Sequence, residues 1–426
     1  MAARGIAGLV TVGATACATG YYYRPAPDVE DGVWVQTRLM HIRGPAAQPA
    51  VDDGFRGERP PVGDVDVASP PPVLLAATRA VVTTAIGALS KIWLTWMNRM
   101  SVEGELGTLV EAVEGRPEDT PLITVANHAS VLDDPALLAA MLPWRIVLQP
   151  SKHRWAICTQ EVCFKDDLIA AFVGCGKVLP IKRGAGVDQP QLLELCRHAA
   201  AGRWVHIFPE GKINQGDTLG ANFVGVRPAS DVAGCGGGRL KWGIGKIIAH
   251  APKTPKVVPF YAVGMRDLLP CSPVDGHLYP VQLGRLVGRD VNVDVGTEVE
   301  FTDLIEEHTK EHGPLWKYGP SPQAEDGDWR ERWKSNDAER RLYSKITHRI
   351  EAALRTLEDR HRTILSKPHP LAQDSRDSGG VTEPPRRHLL QQQEKREPKT
   401  PNRLVERKAA EASSAAASAS TGNIEK

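Results

Sequence analysis

One stretch restricts this chain more than any other: Pro121-Leu-Ile-Thr-Val-Ala-Asn-His128-Ala-Ser-Val-Leu-Asp133-Asp-Pro135. Leu122 to Ala126 is a short apolar, β-prone run bounded by Pro121 and Asn127, and it predicts a buried strand. Asp134, Pro135 and the following Ala-Leu-Leu-Ala-Ala-Met predict a helix start, with Asp134 as N-cap acceptor and proline in the first turn. His128 and Asp133 then fall on the strand-to-helix turn, where side chains are free to face a ligand. An imidazole with a carboxylate on its far nitrogen is an oriented general base. Spacing alone carries little, because His369 and Asp374 repeat it in a polar tail. The strand before His128, the capped helix after it, and the flanking Asn127 and Ser130 single it out. No serine or cysteine stands where it would use this base as a nucleophile, so the base would act directly on a substrate hydroxyl.

Charge and cysteine content narrow the class. Fifty-two basic residues stand against 51 acidic ones, so no global field draws the chain to nucleic acid. Seven cysteines, an odd number without a C-x-x-C pair, predict reduced buried thiols and neither a zinc site nor a disulfide framework.

Residues 1–24 lack acids and are expected to be a targeting or anchor segment. Residues 25–72, rich in Pro, Gly, Asp and Arg, read as a disordered linker. In residues 73–100 an uncharged run from Ala80 to Ser90 carries apolar residues on many faces. Lys91, Trp93, Trp96 and Arg99 cluster at its end, which predicts a membrane-associated, monotopic or re-entrant helix. Residues 101–305 alternate. Strands are expected at Leu122–Ala126, Ile146–Leu148, Lys177–Ile181, Trp204–Phe208, Val257–Tyr261 and Val291–Val295. Helices are expected at Pro135–Met141, at Gln189–Ala201 with Asp188 as cap and Gly202 as stop, and at Leu240–His250. That rhythm specifies an α/β domain with a substantially parallel sheet. Glycine-rich residues 215–239 read as an inserted loop. Residues 306–362 form a C-terminal helical region, in which Leu342, Ile346, Ile350, Leu354 and Leu357 make one apolar stripe. Residues 363–426 read as a disordered tail.

Two more polar clusters follow strands. Phe208-Pro209-Glu210-Gly211 holds Glu210 on a tight turn, and Pro180-Ile-Lys-Arg183 puts an arginine just past the third strand. Arginine suits forked recognition of phosphate, and ligands of α/β proteins bind where such strand ends meet. In order, Asn127-His128-x-Ser130-x-x-Asp133, Pro180-Ile-Lys-Arg183, Phe208-Pro-Glu-Gly211 and Val258-Pro259 resemble the four motif blocks of the glycerolipid acyltransferase superfamily. The resemblance covers roughly residues 75–305. It is strongest to the mitochondrial phospholipid–lysophospholipid transacylases that remodel cardiolipin, through Glu161-Val-Cys-Phe164, Trp204 to Asn214, Lys241 to Ile248 and Val263 to Pro270. The N-terminal extension, the insert and the tail depart from the pattern.

The resemblance implies a mixed, largely parallel sheet flanked by helices, with an N-terminal membrane-associated helix. It implies His128 as general base and Asp133 as the residue fixing its tautomer. Asn127, Ser130, Arg183, Phe208, Pro209, Glu210 and Gly211 are the implied substrate-binding residues, Arg183 and Glu210 anchoring the phosphoglycerol portion. The implied substrates are cardiolipin, monolysocardiolipin and phosphatidylcholine, at mitochondrial membranes facing the intermembrane space. Exchanging one ester for another needs no cofactor and no metal. Two other readings share these motifs: an acyl-CoA-dependent lysophosphatidate or lysophospholipid acyltransferase, and a non-catalytic lipid-binding protein.

Overall fold

The computed structural model describes residues 21–25, 34–38, 71, 73–164, 167–215, 219, 240–270, 281–321 and 329–361. Most of the expected targeting segment, linker and insert, and the whole tail, lie outside these residues. Within the first two, β1 (Tyr21–Pro25) and β2 (Trp34–Arg38) pair antiparallel, so the linker reading fails at 34–38. Both segments are rich in the aromatic and β-branched residues that favour strands.

Helix α1 (Val73–Ile92) continues through a π-helical turn, Trp93–Met97, and leads into β3 (Arg99–Gly104) and α2 (Leu106–Glu114). β4 (Leu122–Ala126) is buried at every position and precedes α3 (Asp133–Met141). Then come β5 (Trp155–Thr159), α4 (Asp167–Cys175), β6 (Val178–Ile181), α5 (Pro190–Ala200) and β7 (Trp204–Ile207). After the insert follow α6 (Gly243–Ala249), β8 (Lys256–Val263), β9 (Asp290–Val295), α7 (Thr302–His312) and α8 (Asp337–Arg360). β3 to β9 form one seven-stranded sheet in the order β3-β9-β8-β4-β7-β5-β6. β8, β4, β7, β5 and β6 run parallel; β9 is antiparallel to β8 and takes β3 with it. The sheet is therefore mixed and largely parallel, with an apolar core on each face.

Several local expectations are corrected. Ile146–Leu148 is not a strand: a helical turn spans Trp144–Val147 and the next strand is Trp155–Thr159. A three-residue apolar run does not separate strand from buried helix, and Pro143 supplies a helix start. Asp134 has extended backbone angles and gives its carboxylate to Arg154 at 2.6 Å, so it does not cap α3. Asp188 does not cap α5 either; it accepts from Lys246, Ser335 and Arg340, and ties α5 to α6 and α8. Cys158 and Cys163 are joined by a disulfide with their Cα atoms 6.1 Å apart, against the expectation of reduced thiols, while Cys175 and Cys196 are buried. The link joins β5 to the short helix Gln160–Cys163 that follows it, a local proximity that cysteine counting does not register.

Val73–Met97 is the one helix among the described residues long and apolar enough to cross a bilayer, and most of it is not covered by the rest of the protein. Its basic and aromatic end is used internally. Lys91 donates to Ala140 O and Leu142 O, capping α3; Trp93 donates to Leu286 O; Arg99 pairs with Asp290. Trp96 alone of that cluster projects freely, 75% exposed. The C-terminal stripe folds as expected: Leu342, Ile346, Ile350, Leu354 and Leu357 are all buried, behind an Asn336–Glu339 capping box.

Candidate active site

Parallel register brings the polar motifs together. Val125 of β4 pairs with Ile207 of β7, and His128 and Glu210 each stand three residues beyond that pair, so both emerge on one sheet edge. Thr159 pairs with Ile181, which brings Arg183, past the end of β6, to the same edge.

His128 Nδ1 lies 3.0 Å from Asp133 Oδ2. That oxygen also accepts from the Ala129 and Ser130 amides at 2.7 and 2.8 Å, so the 2%-exposed carboxylate is fixed in place by backbone donors. Its other oxygen is buried without a hydrogen-bond partner. The imidazole stacks on Phe208, with centroids 4.0 Å apart and planes 10° apart, which fixes the ring plane. With Nδ1 engaged, Nε2 is the nitrogen left for a substrate.

Glu210 supports the turn from beneath. One carboxylate oxygen accepts from the His128 amide at 2.9 Å, the other from Asn214 Nδ2 at 2.7 Å, and the Asn214 amide returns a bond to His128 O. Gly211 closes the Phe208–Gly211 turn at φ +68°, a backbone angle natural to glycine. At 1% exposure Glu210 lies beneath the turn, its carboxylate directed at the His128 backbone and Asn214. Asn127 bonds both the C=O and the N–H of Ala262, tying the turn to β8. Ser130 is fully buried, and its hydroxyl accepts from the Leu132 amide at 3.3 Å. Of the nine residues expected at the site, His128, Arg183, Phe208, Pro209 and Gly211 line the adjacent cavity; Asn127, Ser130, Asp133 and Glu210 form the layer below.

That cavity measures about 2220 Å³ and has largely apolar walls, including Ile86 and Trp93 from the α1 segment, Leu138, Val147, Phe172 and Ile247. It is more than twice the size of a drug-like pocket, which reaches about 1,000 Å³. Arg183, Lys212 and Lys241 also line it. Burial, then the charges of Lys212 and Arg183, hold the Lys241 amine below its ordinary pKa, as expected where three basic side chains cluster on one wall. Lys212 and Lys241 escape a sequence reading, since nothing in Gly-Lys-Ile or Leu-Lys-Trp distinguishes them from solvated surface lysines. Behind Phe208, His206 bonds Thr124 at 2.8 Å, and complete burial brings its pKa down to about 4.

Residues 108–265 match the family model described as Acyltransferase. The chain is similar to tafazzin of Drosophila melanogaster, 35% identical over 234 residues, a match spanning 55% of this chain but only 54% of the fly protein. It is 31% identical over 289 residues to N-acylphosphatidylethanolamine synthase of Arabidopsis thaliana, covering 66% of this chain and 91% of that protein. To taffazin of Dictyostelium discoideum it is 30% identical over 249 residues, covering 55% and 80%. Sheet, motif order and these matches agree: the chain belongs to the tafazzin family of acyltransferases.

Proposed function

We propose that the protein is a phospholipid–lysophospholipid transacylase with His128 as general base, and that it remodels cardiolipin by acylating monolysocardiolipin. The observation that carries this reading is the His128–Asp133 pair, its Nε2 unengaged, on the wall of a large apolar cavity with a cationic patch. Nε2 takes the proton of the lysophospholipid hydroxyl as its oxygen attacks the ester carbonyl of an intact phospholipid. Asp133 stabilises the imidazolium, which returns the proton to the departing oxygen of the donor. Atoms and charge balance without a cofactor. The apolar walls take acyl chains, and Arg183, Lys212 and Lys241 take the phosphates. The exposed apolar face of α1 sits at the bilayer where both lipids reside, in mitochondrial membranes facing the intermembrane space.

The test is purified protein with labelled phosphatidylcholine and monolysocardiolipin, with and without acyl-CoA. Acyl transfer without CoA, reversible on adding lysophosphatidylcholine, is expected; strict CoA dependence would move the protein to the thioester-dependent acyltransferases. A second reading is favoured by the Arabidopsis relative, whose name specifies N-acylation: the acceptor would be the amine of phosphatidylethanolamine. An alkali-stable amide product would establish it, and an alkali-labile ester would exclude it.

A further inference from the structure

The sheet has a second charged edge. β5, β6 and β7 are parallel, so the residues just before them share the edge opposite to His128: Arg154, Lys177 and Arg203. The first residue of β5, Trp155, is buried at the centre of this group, with His198 stacked on it at 3.5 Å. Arg79, from the first half of α1, reaches the same ring. The guanidinium carbons of Arg79 and Arg203 lie 5.1 and 5.7 Å from its centroid, and Lys177 Nζ lies 6.0 Å from it. Arg79, Lys177 and Arg203 do not line the cavity described above.

Two of these charges, Lys177 and Arg79, are poorly matched among the described residues. Arg154 is neutralised by Asp134. Lys177 donates only to uncharged groups, Pro150 O and His153 O. Arg79 Nε is buried with no hydrogen-bond partner. Arg203 Nη1 also contacts His198 Nδ1 at 2.5 Å. Burial, then the charges of Arg79, Arg154 and Arg203, push Lys177 down to about 7. Cation–π contact with Trp155 offsets only part of such mutual repulsion. All three cations retain partial access to solvent.

We infer that Arg79, Lys177 and Arg203 form a phosphate-binding site around Trp155, at the sheet edge opposite the active site. Phosphate suits it better than carboxylate, because it offers several acceptor oxygens and more than one negative charge to cations arriving from three directions. Arg79 shares its face of α1 with the buried Leu75 and Val82, while the exposed Val73, Leu74 and Val81 lie on the other faces, so a phospholipid headgroup and a soluble phosphate compound are the two sources of such a phosphate, and the experiment separates them. The lipid source rests on the membrane reading of α1; the phosphate site does not.

The experiment uses the full chain in detergent and on vesicles, comparing wild type with Arg79→Gln and the charge-retaining Arg79→Lys. The Arg79 side chain makes no hydrogen bond among the described residues, and the unliganded unfolding temperature of each variant verifies the fold. Inorganic phosphate should raise the unfolding temperature of wild type and Arg79→Lys but not of Arg79→Gln. With a lipid headgroup as the source, binding to vesicles of phosphatidylcholine with phosphatidylglycerol should weaken about tenfold in Arg79→Gln, the loss of one charge-assisted contact. Binding to phosphatidylcholine alone should not change, and that arm reports on the membrane reading of α1 separately. Loss of the phosphate effect with anionic-vesicle binding intact would exclude the lipid source in favour of a soluble phosphate compound. Identical behaviour of wild type and Arg79→Gln in both arms would overturn the site.

Discussion

At the residue scale the turn after β4 separates chemistry from support. His128→Ala removes the proposed base while leaving the Ala129, Ser130 and Asp133 bonds in place. Turnover should fall on the order of 10²–10⁴-fold, with the unfolding midpoint little changed. Near-normal turnover would exclude His128 as the base. Ser130→Ala should behave oppositely. Its buried hydroxyl serves only the Leu132 amide among the described residues, so stability should drop by about 1 kcal/mol while turnover stays within a few-fold. An acyl group trapped on Ser130 in a mass spectrum would contradict this. Glu210→Gln is the most informative exchange. Both carboxylate oxygens accept, from the His128 amide and from Asn214, so a glutamine must point its own donor at one of them. A buried mismatch of this kind costs about 1–3 kcal/mol. The loss should appear in kcat, through a displaced His128, with KM for the lysolipid nearly unchanged; a selective rise in KM would restore a headgroup contact for Glu210.

At the element scale, close approach and capping decide which changes the fold tolerates. Gly245 of α6 packs against the backbone of α8, where a Cβ would stand 2.7 Å from Tyr343 Cα. Gly245→Val must push the two helices apart, and a destabilisation of about 1–3 kcal/mol is expected in urea unfolding. Helix α1 presents a different case, because it is both scaffold and exposed apolar surface. Deleting it would also remove the Lys91 caps on α3, so polar substitution of its exposed residues is the cleaner probe. Replacing Val81 and Trp96 by serine should lower partition onto neutral vesicles about tenfold or more, since each buried apolar side chain contributes roughly 1.5–3 kcal/mol. Undiminished partition would locate the membrane contact elsewhere.

At the scale of the whole molecule, buried histidines set the acid limit. His153 and His206 are brought down to about 4, and His250 to about 3, each chiefly by burial. In the unfolded chain these rings titrate near 6.5. Between about 6.5 and 4 the unfolded state therefore binds more protons, and stability is lost as pH falls through that window. The unfolding midpoint should be flat above about pH 6.5 with respect to these groups and fall steadily below it. His206→Asn should shallow that slope, and an unchanged slope would exclude His206 as a contributor.

Local pattern was enough to specify much of this protein. The strand Leu122–Ala126, the stripe on α8 and the His128–Asp133 turn are written in spacing and residue type, since apolar periodicity and turn chemistry act over a few residues. Even the parallel majority of the sheet follows from strand–helix alternation. Tertiary structure alone decided what each polar group faces. Asp134, Asp188 and Lys91 look in sequence like caps or headgroup contacts, yet find partners 20, 58 and about 50 residues away. Local pattern puts Glu210 on a tight turn without saying what it faces; the β4–β7 register carries it beneath His128. The cationic edge around Trp155 is assembled from separate strand starts and one helix, and becomes a single feature only once parallel pairing aligns them. Backbone propensity is local, whereas desolvation and ion pairing depend on which distant segment arrives opposite, and the sheet register fixes that.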